Sequence, residues 1–437
     1  MMWYHDPAAR SAFESAHACL GRLERAGFAA QTVLAVQAEK LGALWERAGQ
    51  SPYYRRLQAV AARNLTALPV TEKDRLRAAP ADFARDGLDR IAKYYESSGS
   101  SGVPLPTPRL AEDTIHNVIG VSPLWRRALG DAQCRVAELL PSDVVPVGDF
   151  VSSVCEYLGH SVLRCYPFNA GICDFDRLEL LFGRYRPDTL FAAPGVLAQW
   201  TRVLKSRGTL AETRAAVRTV MLLGEVSLPA QRDKLAADWQ ADVFDASYGS
   251  TETGTIAASC GHGRSHLLLH GHILELRDGD GIGSARPGRT GELITTTLNN
   301  FARPLLRYAT GDIVDVLADP CSCGLALPCV RVHGRRTDRV EFGGGVIDEH
   351  MVGSVVYQDH RLTGYLIQLR GDAARLIMER DVDVTERDTE LAAAARERFD
   401  AAGITWDAIA VVSQLPATTK AGGSQKNWKR TNVVSTP

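Results

Sequence analysis

Thr189-Leu190-Phe191-Ala192-Ala193 is a short apolar run, and a second one follows at Thr219-Val220-Met221-Leu222-Leu223. The residues between them, at 196–207, have the apolar spacing of a helix. An apolar run at 136–140 and a helical segment at 177–185 precede them. Strands that alternate with helices in this way predict parallel sheets covered by helices. The middle of the chain is therefore predicted to have an α/β fold.

The pattern changes on both sides of this region. Residues 1 to about 65 carry apolar side chains at helical spacing, whereas 265–316 contains closely spaced apolar runs separated by turns, which predict a distorted antiparallel barrel. The last hundred residues supply strands and a helix over about 384–401, the material of a compact α+β unit. We expect a large domain at 1–334 and a small, mobile C-terminal lid domain at 335–437.

Charge and hydropathy exclude several classes of partner. The 437 residues include 50 Lys and Arg against 51 Asp and Glu, a net charge of -1. Such a balance gives no overall attraction to nucleic acid or to an anionic membrane surface. No apolar run reaches the roughly 18 residues of a membrane-spanning helix, and the start of the chain lacks a secretory pattern. We expect a cytoplasmic protein that binds neither nucleic acid nor membrane.

A loop of serine and glycine follows the segment Ile91–Tyr95. It reads Ser97-Ser98-Gly99-Ser100-Ser101-Gly102-Val103-Pro104. Small residues let backbone N–H groups approach an anion closely, as phosphate loops do. A flexible turn has a similar composition, and the Gly-Lys-Ser/Thr ending of a Walker loop is missing. Taken alone, the loop leaves both readings open.

Further motifs occur in a fixed order along the chain. They are Tyr53-Tyr54-Arg55-Arg56-Leu57, Leu68-Pro69-Val70-Thr71-Glu72-Lys73-Asp74, Tyr248-Gly249-Ser250-Thr251-Glu252-Thr253-Gly254, Gly291-Glu292-Leu293-Ile294-Thr295-Thr296-Thr297-Leu298, Thr310-Gly311-Asp312, Gly334-Arg335-Arg336-Thr337-Asp338 and Gly422-Gly423-Ser424-Gln425-Lys426. Together with the serine and glycine loop, this set resembles the adenylate-forming ligases, and within them the phenylacetate–CoA ligase-like branch. The resemblance extends over most of the chain.

The resemblance implies a reaction. A small carboxylic acid, for which an aromatic acid is preferred, is activated with ATP as its acyl-AMP, and pyrophosphate is released. The acyl group then passes to a thiol, either of coenzyme A or of a carrier protein. Since the acid and ATP are both anions, catalysis consists mostly of charge neutralisation and positioning. A role in secondary metabolism and a homodimer also fit the resemblance.

Three alternatives stay open at this point. An amine or hydroxyl acceptor could use the acyl-adenylate directly. A catalytically silent nucleotide-binding module would be expected to lose Glu252, Asp312 or Arg335, but the chain retains all three. A kinase would transfer the γ-phosphate and release ADP instead of pyrophosphate.

Residue roles follow from the resemblance. It assigns the ATP phosphates to Ser97, Ser98, Gly99, Ser100, Ser101 and Gly102. It assigns Mg²⁺ to Glu252, the α-phosphate to Thr251, the adenine to Tyr248, and the ribose to Asp312, with Arg335 at the ribose or phosphate. Gly224, Glu225, Ser247 and Gly249 complete the predicted nucleotide and acyl site.

The catalytic lysine is expected near the C-terminus. Lys426 would place a cation between the attacking carboxylate and the α-phosphate. Lys420 and Lys429 are close, and Gln425 departs from the usual Gly-Lys pair, but the Gly-Gly-Ser-x-Lys spacing favours Lys426. The hinge of the lid is expected at 337–338, where Thr337 departs from the usual Asp-Asp sequence.

Cysteine and histidine spacing predicts a structural zinc site. A Cys-x-Cys pair and a separate Cys/His pair supply four ligands for a closed tetrahedral Zn²⁺. The resemblance favours Cys260, His266, Cys321 and Cys323, while His262 or Cys329 could replace one of them. Unrelated reduced thiols are the alternative.

The acyl pocket is the least readable part of the site. The stretch after Val151, Ala192–Val196, residues 224–226 and the residues before Tyr248 are expected to form it. The candidate polar and aromatic side chains are Tyr157, His160, Phe191 and Phe244, each of which could equally belong to the core. The acceptor is not identified, although Lys426–Arg430 could bind the coenzyme A nucleotide.

Overall fold

A computed structural model describes most of the chain: residues 5–61, 63–85, 91–97, 104–169, 171–336, 339–342, 345–371, 373–416 and 432–435. The helices are α1 (Pro7–Arg25), α2 (Ala30–Ala48), α3 (Pro52–Ala61), α4 (Lys73–Ala78), α5 (Pro80–Phe83), α6 (Ala111–Leu129), α7 (Val147–Tyr157), α8 (Phe175–Tyr185), α9 (Pro194–Arg207), α10 (Leu210–Thr213), α11 (Pro229–Trp239), α12 (Glu349–Val356) and α13 (Asp388–Ala401). The strands are β1 (Lys93–Ser97), β2 (Leu105–Arg109), β3 (Arg135–Leu139), β4 (Ser161–Arg164), β5 (Thr189–Ala192), β6 (Thr219–Leu223), β7 (Asp242–Ser250), β8 (Gly254–Ser259), β9 (Ser265–Leu267), β10 (His272–Asp278), β11 (Gly281–Ser284), β12 (Thr290–Thr297), β13 (Tyr308–Val316), β14 (Cys329–Arg335), β15 (Val340–Phe342), β16 (Gly345–Ile347), β17 (Leu362–Arg370), β18 (Ala373–Arg380), β19 (Ala408–Val412) and β20 (Val433–Ser435).

Strands β1 and β2 form a separate two-stranded sheet, whereas the strands between Arg135 and Arg335 form one large sheet. Its twelve strands lie in the order β11-β10-β12-β13-β14-β9-β8-β7-β6-β5-β3-β4. The strands from β3 to β7 pair in parallel, and those from β7 through β14 to β11 pair antiparallel. The predicted α/β class is confirmed, and the antiparallel strands continue the edge of the parallel part instead of forming a separate layer.

Strand β7 is the junction between the two parts of the sheet. It pairs in parallel with β6 through Leu222 and Asp245, and antiparallel with β8 through Tyr248 and Ala257. The turn into β8 requires glycine at Gly249, because a Cβ there would overlap the backbone at Gly254. The polar motif 248–254 therefore lies at the carboxyl end of the last parallel strand.

The C-terminal residues form a smaller α+β unit. Its sheet has the strand order β19-β18-β17-β20 and packs with α12 and α13 around buried residues such as Leu376, Phe399 and Trp406. Strands β17, β18 and β19 and helix α13 correspond to the strands and the helix expected in the last hundred residues. The predicted α+β character of this part of the chain is therefore confirmed.

A charged network joins this unit to helices α9 and α11. Asp381, which is 2% exposed in its side chain, accepts from Lys205 at 2.6 Å and from Lys234 at 2.8 Å. Asp238 pairs with the same two lysines. Arg202 adds hydrogen bonds to Thr363 and to the Ser413 carbonyl oxygen. These contacts close one side of a large cavity.

Among the described residues, no helix combines the length and the apolar character needed to cross a bilayer.

Candidate active site

A cavity of about 670 Å³ opens where the parallel strands end. It is lined by residues that follow β3, β5, β6 and β7, and it is closed by the C-terminal unit. Ligands of parallel α/β sheets bind outside the carboxyl ends of the strands, in a crevice of this kind.

Asp312 and Tyr248 meet at one end of the cavity. The Tyr248 hydroxyl donates to Asp312 Oδ2 at 2.8 Å, and Arg335, which is opposite Asp312 in the β13–β14 pair, has its Nε 3.9 Å from Oδ1. Burial raises the pKa of Asp312, while Arg335 and the Tyr248 hydrogen bond lower it. An aromatic ring, a carboxylate and a guanidinium thus face one space.

Glu252 lies deeper, and its side chain is 2% exposed. Its Oε1 atom has no hydrogen-bond partner in the described part of the chain, but Lys73 Nζ lies 3.3 Å away. Burial alone would raise the pKa of Glu252. Lys73, followed by a backbone N–H and Arg303, outweighs burial and holds the pKa at about 2. The carboxylate is therefore ionised and has an oxygen available for a ligand.

Lys73 is a site residue that the sequence did not single out. It belongs to the segment 68–74 that carried the family resemblance, but its position at the start of α4 indicated only a helix N-terminus. The positive charge of Lys73 within that segment is the signal in the sequence that could have identified it as a site residue. Its contact with Glu252, 179 positions further along the chain, is set by tertiary packing.

Buried polar side chains hold the loop that contains Glu252 and the neighbouring strand β2. Arg109 donates to the Thr251 carbonyl oxygen at 2.8 Å and to Asn300 Oδ1 at 2.9 Å, while Asn300 donates to the Glu252 carbonyl oxygen at 2.9 Å. Arg303, which is 2% exposed, donates to Pro106 and to Thr107. Since the backbone of the loop is held from several directions, the Glu252 side chain is preorganised.

Most of the predicted site residues line this single cavity. They are Ser97, Gly224, Glu225, Ser247, Tyr248, Gly249, Thr251, Glu252, Asp312 and Arg335. Ser97 is buried, and its hydroxyl has no hydrogen-bond partner in the part of the chain that is described. Ser98, Gly99, Ser100, Ser101, Gly102, Thr337, Asp338 and Lys426, with its alternatives Lys420 and Lys429, lie outside the described residues.

The four side chains suggested for the acyl pocket do not line the cavity. Phe191 is fully buried against Trp125, with ring centroids 4.9 Å apart. His160 accepts from the Cys134 N–H, and Tyr157 contacts Phe13 and His17. Phe244 packs against the main core. The suggestion was wrong because apolar side chains at strand and helix positions were used to fill the core.

Other residues line the space beside Gly224 and Ser247. They are Tyr95, Val145, Pro146, Val147, Asp149, Phe150, Pro194 and Gly195. The aromatic members, Tyr95 and Phe150, both precede the stretch after Val151 that was expected to form the pocket. Asp149 is neutralised by Lys93 and also accepts from the Tyr95 hydroxyl at 2.8 Å.

The predicted metal ligands lie together. The ligand atoms of Cys260, His266, Cys321 and Cys323 are all within 4.8 Å of one another. His266 donates through Nδ1 to the Leu327 carbonyl oxygen at 2.9 Å, which directs Nε2 toward Cys323 Sγ at 3.3 Å. A second hydrogen bond of this kind orients histidine ligands in metal sites.

The alternative ligands behave differently. His262 is exposed and bonds Ser322 Oγ at 2.9 Å. Cys329 lies behind the His266 ring, with Sγ 3.7 Å from Nδ1, the nitrogen already engaged by the Leu327 carbonyl oxygen. Two of the proposed thiols, those of Cys260 and Cys321, approach to 3.7 Å. The four-residue set therefore fits a closed tetrahedral site.

The comparisons with known proteins agree with the fold and the motifs. No family model matches the chain. The chain is 26% identical over 296 residues to a phenylacetate-coenzyme A ligase of Thermus thermophilus, and the match covers 62% of this chain and 63% of that protein. The matched part is thus less than two thirds of the length of that relative.

Two solved structures share the architecture. A 2-hydroxyisobutyryl-CoA ligase in the postadenylation state with 2-HIB-AMP has a TM-score of 0.82 and 15% identity, covering 93% of this chain and 90% of that one. An anthranilate CoA ligase in complex with anthranoyl-AMP has a TM-score of 0.57 and 18% identity, covering 76% of this chain and 65% of that one. The chain has the fold of adenylate-forming CoA ligases, and its resemblance to phenylacetate–CoA ligase is confirmed.

Proposed function

We propose that this protein activates a small carboxylic acid with ATP, releasing pyrophosphate, and transfers the acyl group from the acyl-AMP to the thiol of coenzyme A or of a carrier protein. One observation carries the proposal: Ser97, Glu252, Asp312 and Arg335 line a single cavity in a fold shared with acyl-CoA ligases. An aromatic acid fits the aromatic side chains of Tyr95 and Phe150 beside Gly224.

The nucleotide is proposed to bind against the hydrogen-bonded pair of Tyr248 and Asp312. The Asp312 carboxylate is the acceptor for the ribose hydroxyls, Tyr248 borders the adenine, and Arg335 neutralises phosphate or binds ribose. The phosphates extend toward Ser97 and the residues that follow it. The Ser97 hydroxyl, which has no hydrogen-bond partner among the described residues, is a donor there. Thr251 contacts the α-phosphate. This direction brings the phosphates toward Glu252.

Mg²⁺ fits the environment of Glu252. An ionised carboxylate whose Oε1 accepts no hydrogen bond from the described residues is a ligand of the type that this ion prefers. When bound, the metal neutralises phosphate charge. Lys73 keeps Glu252 ionised and adds a second positive charge beside the phosphates. We assign Lys73 as a positioning residue for this site.

The C-terminal part of the chain is proposed to act as a mobile lid from residue 335 onward. Lys426 would enter the cavity with its cation between the acid and the α-phosphate, and a hinge at 337–338 would let the lid exchange this arrangement for one that admits the thiol. A cytoplasmic location, a homodimer and a role in secondary metabolism stay predictions from the sequence.

The Cys/His cluster is proposed to hold a structural zinc ion. Four ligands leave no open position for a substrate, so the ion would connect the turn after β8 to the segment between β13 and β14. The same segment follows Asp312. Zinc would thus stabilise the strands that carry the nucleotide site.

The deciding experiment is a panel of aryl and short aliphatic acids, scored by pyrophosphate release with and without coenzyme A. The proposal expects acid-dependent pyrophosphate release together with exchange of labelled pyrophosphate into ATP. Release of ADP instead, or ATP turnover that is independent of every acid, would contradict it.

A further inference from the structure

A polar side of the cavity is not used by the roles given above. It lies between helix α6 and the loop before β10, and we call it the histidine lobe. It is lined by His116, Asn117, Gly120, Leu268 and His270. Asn117 connects the lobe to strand β8, which follows the loop that contains Glu252, because the Asn117 Oδ1 accepts the Thr255 N–H at 2.9 Å.

One imidazole of the lobe has a buried nitrogen without a hydrogen-bond partner in the described part of the chain. His270 is 5% exposed, and its Nδ1 has no hydrogen-bond partner in the described chain. The ring of His116, which is 8% exposed, stacks on Phe301 at 5.0 Å and makes no hydrogen bond to any described residue. Buried polar groups are almost always paired, since an unpaired one is costly. The unpaired Nδ1 of His270 therefore points to a ligand, and the His116 ring lines the same cavity.

The neighbouring His272 shows the contrast. Its Nδ1 contacts the Thr295 hydroxyl at 3.0 Å, and its Nε2 contacts the Thr255 carbonyl oxygen at 2.9 Å. Both nitrogens are satisfied within the fold, so His272 needs no further partner. The ring of His272 is thus fully hydrogen-bonded within the fold, unlike the rings of the two histidines in the lobe.

The lobe suits an uncharged polar group. Burial, with Lys40 adding to it, lowers the pKa of both His116 and His270 to about 3, so both rings are neutral at physiological pH. The Gly120 carbonyl oxygen lies beside His270 and favours a proton on that side, which leaves the unpaired nitrogen as an acceptor. Because its Oδ1 accepts from Thr255, Asn117 presents its amide N–H groups as donors.

Charge excludes other groups. Lys40 Nζ donates to the His270 carbonyl oxygen at 2.9 Å, so a positive charge lies behind the lobe and disfavours an ammonium group. A second carboxylate would have no cation to pair with in the lobe itself, because the lining side chains are neutral and Lys40 Nζ is directed at the His270 backbone oxygen. A hydroxyl or an uncharged amine both donates and accepts, as the lobe requires.

We propose that the histidine lobe binds an uncharged hydroxyl or amino substituent of the acid, and that the preferred substrates are hydroxy- or amino-substituted acids. This inference rests on the proposed function, since it names the acid for the same cavity. Gly120 sets the width of the lobe, because a Cβ there would lie 3.1 Å from His270 Nε2.

The experiment compares aryl and short aliphatic acids that carry a hydroxyl or amino substituent with their methyl isosteres. Dicarboxylic acids are included as a further comparison. Binding to the full-length protein is measured by calorimetry, and turnover by pyrophosphate release. We expect at least one substituted acid to be preferred about tenfold or more over its isostere, because a site built for hydrogen bonds rejects an analogue that lacks them.

Variants then localise the preference. His116→Leu and His270→Leu should each remove most of it while changing binding of the methyl isostere less than about threefold. His270→Gln, which retains hydrogen-bonding groups, should restore part of it, and Gly120→Ala should reduce it by narrowing the lobe. His17→Leu, at an exposed histidine on α1, is the matched control and should leave it unchanged.

The two hypotheses fail separately. The lobe assignment would be overturned by equal affinity for substituted acids and isosteres, by a preference for dicarboxylic acids, or by a preference that survives both leucine variants. Acid-dependent pyrophosphate release in the same experiments would still support the ligase function. Selective binding that depends on the two histidines, without pyrophosphate release from any acid, would uphold the lobe and contradict the ligase.

Discussion

Tyr248 and Asp312, 64 residues apart in the chain, share a hydrogen bond of 2.8 Å at one end of the cavity. The bond joins the end of the parallel sheet to strand β13 and orients the carboxylate that we assign to the ribose. Two motifs that are separate in the sequence thus meet in the fold.

Substitution of either partner should weaken ATP binding to different degrees. Asp312→Ala removes the proposed ribose acceptor and should abolish nucleotide-dependent activity. Tyr248→Phe keeps the ring but leaves the buried carboxylate with one bond fewer, which costs about 1–3 kcal/mol. We expect a KM for ATP raised roughly tenfold, with the KM for the acid changed little. Steady-state kinetics in both substrates measures this, and equal effects on both would argue against the assignment.

Lys73→Met should move the acid limb of the pH–rate profile to higher pH. In the wild type the pKa of Glu252 is about 2, below its ordinary value of 4.5, so the ionised form persists until the pH falls toward 2. Without Lys73 the effect of burial prevails and the pKa rises. Pyrophosphate exchange against pH measures the shift. Arg77→Met, on the same helix, is the control and should not move the profile.

Lys426→Ala should separate the two half-reactions. Formation of the acyl-adenylate should fall by about a hundredfold or more, because a cation at the reacting phosphate is lost, whereas transfer from preformed acyl-AMP to the thiol should fall far less. Lys429→Ala is the matched control. If Lys429→Ala shows the larger loss of adenylation, the catalytic lysine has been assigned to the wrong position.

Purified protein should contain about one zinc ion per chain, measured by elemental analysis. Cys323→Ser should lose the metal and lower thermal stability, because a closed site contributes directly to folding. Cys329→Ser tests the alternative ligand and should keep the ion. If Cys323→Ser retains zinc and Cys329→Ser loses it, Cys329 is the ligand and Cys323 is not.

Asp381→Asn should destabilise the fold. The carboxylate is nearly buried between Lys205 and Lys234, so removing its charge leaves two lysines with reduced compensation. Breaking a buried pair typically costs about 3–5 kcal/mol. Urea unfolding measures the loss. Asp176→Asn breaks the exposed pair with Arg207 and should cost less than about 1 kcal/mol; similar losses in both variants would contradict the role of the network.

The sequence sufficed for features that depend on local spacing. Apolar runs at 136–140, 189–193 and 219–223 predicted the parallel strands β3, β5 and β6, because buried strands leave continuous apolar segments. The order of polar motifs indicated the resemblance to the ligases. The same motifs identified residues 248–254, Asp312 and Arg335 as candidate site residues.

Tertiary structure alone decided which side chains meet. The contact of Lys73 with Glu252 depends on elements far apart in the chain, and so does the burial of His270 with its Nδ1 unpaired in the described part of the chain. No local pattern encodes them. For the same reason, Phe191 and Phe244 resembled pocket residues in the sequence and proved to be packed in the core. Burial is a property of the assembled sheet and its helices, and only that assembly distinguishes an apolar side chain that fills the core from one that faces a substrate.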